Sequence, residues 1–158
     1  MAAKILQLQL NSPDDTCALA QSLARVLGQG DTVLLSGDVG AGKTHFARCL
    51  ILSLLEVPED VPSPTYTLVQ TYDGPTGDIW HADLYRLSDI SEIDELGLTQ
   101  AFVDAICLVE WPDRLGQYAP ESALSLSLDV PSGDDRRTVR LEWDDARWDA
   151  KLRKALND

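Results

Sequence analysis

At 158 residues, with 44% apolar and 25% charged side chains, the chain has the composition of an ordinary soluble globule and can bury a core without disulfides or metals. Its 26 acidic residues against 13 basic give a formal net charge of -13, which disfavours stable direct binding of nucleic acid by the chain alone and attraction to acidic membranes. No apolar run reaches membrane-spanning length and the first residues lack a basic-then-apolar signal pattern, so a cytoplasmic protein with no membrane attachment is expected.

Residues 5–10 alternate, with Leu6, Leu8 and Leu10 on one face and Gln7 and Gln9 on the other, the period of a half-exposed strand. Ser12-Pro13-Asp14-Asp15 then supplies an N-cap, a proline at the first helical position and acids in the first turn. The helix it opens should turn Cys17, Ala20, Leu23, Ala24 and Leu27 inward and stop at Gly28 or Gly30. Residues 32–36 form a short apolar strand, followed by Gly37-Asp38-Val39-Gly40-Ala41-Gly42-Lys43-Thr44, a complete match to the phosphate-loop pattern G-x-x-x-x-G-K-[ST]. A strongly apolar helix begins at about Lys43 and ends near Val57-Pro58. The proline-rich residues 58–64 read as a loop.

Two β-rich runs, 66–72 and 78–87, flank a hairpin connection at Asp73-Gly74-Pro75-Thr76-Gly77. Residues 91–101 hold short helical pieces broken at Gly97. Residues 105–109 form a second continuous apolar strand, of the kind buried on both faces in a parallel sheet. Residues 123–130 and 138–143 alternate around a hairpin turn at Pro131-Ser132-Gly133-Asp134-Asp135, and 144–156 close the chain as an amphipathic helix. The sum is one α/β domain over residues 1–158, with a mixed, mostly central parallel sheet, flanking helices and antiparallel hairpins. Cys17, Cys49 and Cys107 are odd in number, far apart and set among apolar residues, so they read as small core residues in a reducing compartment.

The phosphate loop predicts a nucleotide site. Its glycines let successive amides point inward at a triphosphate, Lys43 adds a mobile positive charge near the β- and γ-phosphates, and Thr44 offers a hydroxyl to magnesium. Asp38, Val39, Gly40, Ala41, Gly42, Lys43, Thr44 and His45 are therefore the expected nucleotide contacts, His45 without a catalytic role. Hydrolysis also needs the metal approached from a second side. Glu110 stands at the carboxyl end of the second apolar strand, where ligands bind in open α/β sheets; otherwise it is a solvated acid at a strand exit. Asp83 is the second candidate, on a face shared with His81 and Tyr85, which would otherwise be an exposed sheet face. Ser63-Pro64-Thr65-Tyr66-Thr67 offers three hydroxyls as a switch segment on the γ-phosphate, with Thr65 counted as a contact, or as plain turn chemistry. Trp111 packs near the nucleotide or in the core.

The only asparagines are Asn11 and Asn157, so no N-K-x-D guanine-reading motif exists and a Ras-type GTPase is disfavoured. Arg136, Arg137 and Arg140 could serve the basic lid of a small-molecule kinase, but their hairpin is adequately explained as a solvated face. Arg86 and Arg114 are candidates for an arginine finger within the chain.

Together the blocks Ser36 to Thr44, Ser63-Pro64-Thr65-Tyr66-Thr67-Leu68-Val69, His81-Ala82-Asp83-Leu84-Tyr85-Arg86-Leu87, Glu95-Leu96-Gly97-Leu98 and Val109-Glu110-Trp111-Pro112-Asp113-Arg114 resemble the TsaE family of bacterial ATPases, which act in making threonylcarbamoyladenosine (t6A) on transfer RNA. They occur in the family's order and span about half the chain. The resemblance implies ATP and magnesium (Mg2+) at Lys43 and Thr44, with Asp83 and Glu110 as catalytic, metal-proximal acids and Trp111 beside the nucleotide. It also implies TsaB and TsaD as partners, with slow ATP hydrolysis resetting their assembly. His45 departs from the family's usual threonine, and Cys49 from a common glycine. A nucleotide-gated interaction protein and a phosphate-loop small-molecule kinase are the rival readings.

Overall fold

The strand at the centre of the molecule, β2 (Thr32–Ser36), pairs in parallel with β5 (Ile106–Glu110) on one side and β6 (Leu124–Asp129) on the other. This computed structural model describes residues 3–55, 59–62, 64, 67–131 and 136–156. Strand β4 (Gly77–Asp83) joins β5 in parallel, and antiparallel strands complete the sheet: β3 (Val69–Gly74) at one edge, β7 (Arg137–Trp143) and then β1 (Lys4–Leu10) at the other. The order across this seven-stranded α/β sheet is β1-β7-β6-β2-β5-β4-β3. The four parallel strands sit at the centre, and the hairpins close both edges.

Side-chain alternation divides the core between the two faces. Val33 and Leu35 of β2, Ile106 and Leu108 of β5, and Leu124, Leu126 and Leu128 of β6 form one cluster with Leu23 of α1 (Pro13–Ala24), Phe46 and Leu50 of α2 (Lys43–Leu54), and Trp148 of α5 (Arg147–Leu156). Leu34, Ala82 and Val109 face the other way. They pack with Ile93 of α3 (Glu92–Glu95), Leu98 of α4 (Leu98–Asp104) and Leu115 of the 3-10 helix Pro112–Tyr118. That last helix has no counterpart in the sequence reading, because seven residues around Gly116 are too few to show a period.

The start of α1 follows its residues. Ser12 accepts a hydrogen bond from the Asp15 amide at 3.2 Å while Asp15 accepts one from the Asn11 amide at 2.9 Å, a reciprocal cap. The end differs from expectation: α1 stops at Ala24, before either glycine, because the Val26 amide bonds back to Leu23 at 3.0 Å and tightens the last turn. The cysteine reading is corrected as well. Cys107 is a buried free thiol, but half-buried Cys17 and Cys49 are joined in a disulfide between α1 and α2, with Cα atoms 5.3 Å apart. Helix packing brings together positions 32 residues apart in sequence, which spacing alone does not reveal. Among the described residues no helix is long and apolar enough to cross a membrane. Helix α2 likewise ends before the expected Val57-Pro58: it stops at Leu54, where Leu55 turns extended and its amide bonds the Ile51 carbonyl at 3.1 Å. The residues Ser63, Thr65 and Tyr66 and the hairpin turn over 132–135 lie outside the described residues.

Candidate functional site

Strands β2, β4 and β5 end at the same edge of the sheet, and the phosphate loop leaves from the first of them. Its glycines are required by geometry. Gly42, the residue before α2, has φ +108°, a left-handed conformation that other residues rarely adopt, and a Cβ on Gly37 would stand 2.6 Å from the Leu128 carbonyl oxygen. The loop thus lies against β6 and delivers Lys43 and Thr44 into the first turn of α2, whose unpaired amides face the same space.

Lys43 is only 5% exposed. Its ammonium donates to the carbonyls of Gly37 and, at 3.1 Å, Asp38, and lies 4.2 Å from the centroid of the Trp111 ring. Burial holds its pKa below the ordinary lysine range, and the negative charges of Glu110, Asp83 and Asp38 work in the opposite direction. Trp111 has a left-handed backbone (φ 59°) directly after β5, and its ring packs 4.9 Å from that of Tyr85. It is half-buried, touching both the site and the core cluster of the opposite face.

The acids come from strand parity. Glu110 shares its face of β5 with Ile106 and Leu108, and His81 and Asp83 share theirs with Ile79, so all three side chains point to the α2 side. Asp83 and Glu110 are also direct neighbours in the register of the two strands. Glu110, at 2% exposure, is no solvated strand-exit acid, and His81 (0%) and Asp83 (5%) are not on an exposed face. The Thr44 hydroxyl donates to Glu110 Oε1 at 2.8 Å, and His81 Nε2 lies 2.7 Å from Glu110 Oε2. Asp83 Oδ1 accepts from the Tyr85 amide at 3.0 Å, which fixes the turn after β4. Tyr85 itself is beyond the strand and half exposed, so the expected polar triplet holds only for its first two members.

These side chains border a cavity of about 360 Å³ lined by Val39, Gly40, Gly42, Lys43, Thr44, His45, Asp83, Tyr85, Arg86, Glu110 and Trp111. Asp38 and Ala41 lie on the far side of the loop, lining a separate groove with Leu128 and Thr138. His45 belongs to the cavity and also to a third groove with Pro13, Thr16 and Arg137, its Nε2 3.1 Å from the Pro13 carbonyl. Of the two finger candidates, Arg86 lines the cavity, whereas Arg114 reaches the Leu87 carbonyl at 3.5 Å. Thr65 lies outside the described residues.

Two participants were missed in the sequence. In the sequence His81 reads as part of a polar face and of a family block, without a role of its own, and Arg137 as part of a basic kinase lid or, more simply, of a solvated hairpin. Arg137 instead donates from its Nε to the Ala41 carbonyl at 2.8 Å, tying β7 to the phosphate loop. The alternation at His81 was the only available signal for it, and nothing local marks Arg137.

Among the described residues no group of three or more His, Cys, Asp and Glu side chains could hold a metal by itself. The donor set that does converge, one hydroxyl and two carboxylates beside an anion-binding loop, suits magnesium, which keeps several waters and shares its ligands with substrate phosphates.

Comparison with known proteins identifies the family. The family described as "Threonylcarbamoyl adenosine biosynthesis protein TsaE" matches residues 10–139. The chain is 38% identical over 130 residues to the tRNA threonylcarbamoyladenosine biosynthesis protein TsaE of Rickettsia bellii, covering 82% of this chain and 90% of the relative. It is 34% identical over 137 residues to the protein of the same name from Bacillus subtilis, covering 86% and 84%. The crystal structure of Bacillus subtilis YdiB matches the fold with a TM-score of 0.81 and 26% identity, over 99% of this chain and 97% of that one.

Proposed function

Because this chain belongs to the TsaE family, we propose that it is a slow, magnesium-dependent ATPase of tRNA threonylcarbamoyladenosine formation, working with TsaB and TsaD. The observation that carries the ATPase reading is the meeting of Thr44 from the phosphate-loop helix with Glu110 from β5, beside the buried ammonium of Lys43. Binding residues and a second-side carboxylate are thereby in one cavity.

The loop amides and the first turn of α2 take the phosphates, and Lys43 exchanges its carbonyl partners for phosphate oxygens. Thr44 and Asp83 are the residues that would hold magnesium directly, with Glu110 reaching it through a water. The bound ion supplies charge neutralisation across the phosphate oxygens. Glu110 Oε1 orients the attacking water and accepts its proton, while the Trp111 and Tyr85 rings limit the entry of bulk water. Arg86, at the cavity wall, is the candidate for the developing charge on the phosphoryl group. The net charge of -13 favours a division of labour in which partners contact the RNA and hydrolysis resets their assembly.

The experiment is a measurement of free phosphate and nucleotide binding for wild type and Glu110→Ala. The variant should bind ATP within about threefold of wild type while its phosphate release falls at least about 100-fold, the scale of losing a group that acts in the transition state. Undiminished turnover would assign the chemistry to another acid, and a phosphorylated small-molecule product seen by mass spectrometry would favour the kinase reading.

A further inference from the structure

Glu110 is held from two sides, and only one of its partners belongs to the phosphate-loop helix. Thr44 bonds Oε1, and His81, from the neighbouring strand, lies 2.7 Å from Oε2. At that separation a proton must stand between ring nitrogen and carboxylate, so Nε2 carries it and donates. The other ring nitrogen, Nδ1, is buried with no hydrogen-bond partner. Half-buried Gln70 is its register neighbour on β3 and the buried Asp83 follows it on the same face, but its remaining strand neighbours are apolar. The preceding residue on its face, Ile79, is 0% exposed, and so is Leu108, its neighbour in register on β5. A histidine here carries a desolvation cost that leucine would not, and the hydrogen bond it makes is to Glu110.

The bond matters because a glutamate's last torsion is broad and nearly two-fold. Thr44 cannot fix it throughout the reaction, since the same hydroxyl is the group drawn toward a nucleotide-bound cation. Once Oε1 loses that donor, the histidine is the contact that still defines the carboxylate plane. We propose that His81 is the positioning residue of the site, holding Glu110 Oε2 so that Oε1 keeps facing Thr44 and the cavity. This rests on the ATPase reading above and adds to it the origin of the carboxylate's orientation.

The test compares His81→Gln with His81→Asn. A glutamine amide reaches the place of Nε2, whereas the shorter asparagine reaches only that of Nδ1, so the pair separates the bond to Glu110 from polarity and packing. For His81→Asn, kcat should fall about 10- to 100-fold with KM within about twofold, the usual size of effect for a group that orients a ligand carboxylate. His81→Gln should recover most of the loss. Calorimetry of ADP with magnesium gives a readout independent of turnover: both variants should bind within about threefold of wild type, and a larger loss in His81→Asn would mark damage to the whole site and overturn the positioning role. Equal turnover of the two variants, whether both match wild type or both decline in step with thermal stability, would overturn it as well. Absence of phosphate release from the wild type would instead overturn the ATPase reading, whereas a Glu110→Ala protein with wild-type turnover would assign the chemistry to another acid and overturn this proposal with it.

Discussion

Lys43 carries the charge on which the proposed triphosphate site depends. Its ammonium is already out of bulk water, resting on two loop carbonyls and the Trp111 ring, with the carboxylates of Glu110 and Asp83 close enough to act on its charge. A cation held in that state gains more from phosphate oxygens than a hydrated one does. Lys43→Ala should therefore weaken ATP binding by about 2–3 kcal/mol, roughly 30- to 150-fold in Kd by calorimetry, and unchanged affinity would remove Lys43 from the site. The loop residues were legible in the sequence because eight consecutive positions carry their own chemistry. The histidine at 81 was not, since its burial depends on β4 lying beside β5 and beneath α2. A polar residue in an alternating run reads the same whether its face meets water or a carboxylate.

Among the elements, α1 and α2 carry the largest departure from expectation. Helix α1 is recognisable by its cap and period, α2 by its apolar run after the phosphate loop, and β2 and β5 by their apolar runs, since these signals lie within a few residues. The Cys17–Cys49 link was not recognisable, because it arises from the packing of one helix on the other. Closing a loop between positions 32 apart should stabilise the fold by about 3–4 kcal/mol on a chain-entropy argument. Denaturant unfolding with and without reductant should show that difference. Thiol titration of the oxidised protein should find no reactive group in the folded state and one after unfolding, because burial pushes the Cys107 thiol up to about 12 and keeps it protonated. Three titratable thiols in the unreduced, unfolded protein would contradict the bond. The same link joins the phosphate-loop helix to α1, so reduction also tests whether that helix needs the brace to bind nucleotide.

For the molecule as a whole, the sheet order explains why the site is where it is. The parallel core β6-β2-β5-β4 brings the loop after β2, the end of β5 and the end of β4 to one edge, the place where open α/β sheets bind ligands. Residues 37–44 and 106–110 suggested this edge in the sequence, but the order of strands, and hence Arg137 reaching the loop from β7, came only with the fold. The net charge of -13 favours the proposed division of labour, in which ATP turnover serves an assembly and partners contact the RNA. The most direct measurement of that claim is phosphate release from ATP by wild type and Glu110→Ala, each with and without TsaB and TsaD. Slow release by the wild type alone, faster release with the partners, and almost none from Glu110→Ala in either condition are expected. Partner-stimulated release that survives the loss of Glu110 would contradict that expectation.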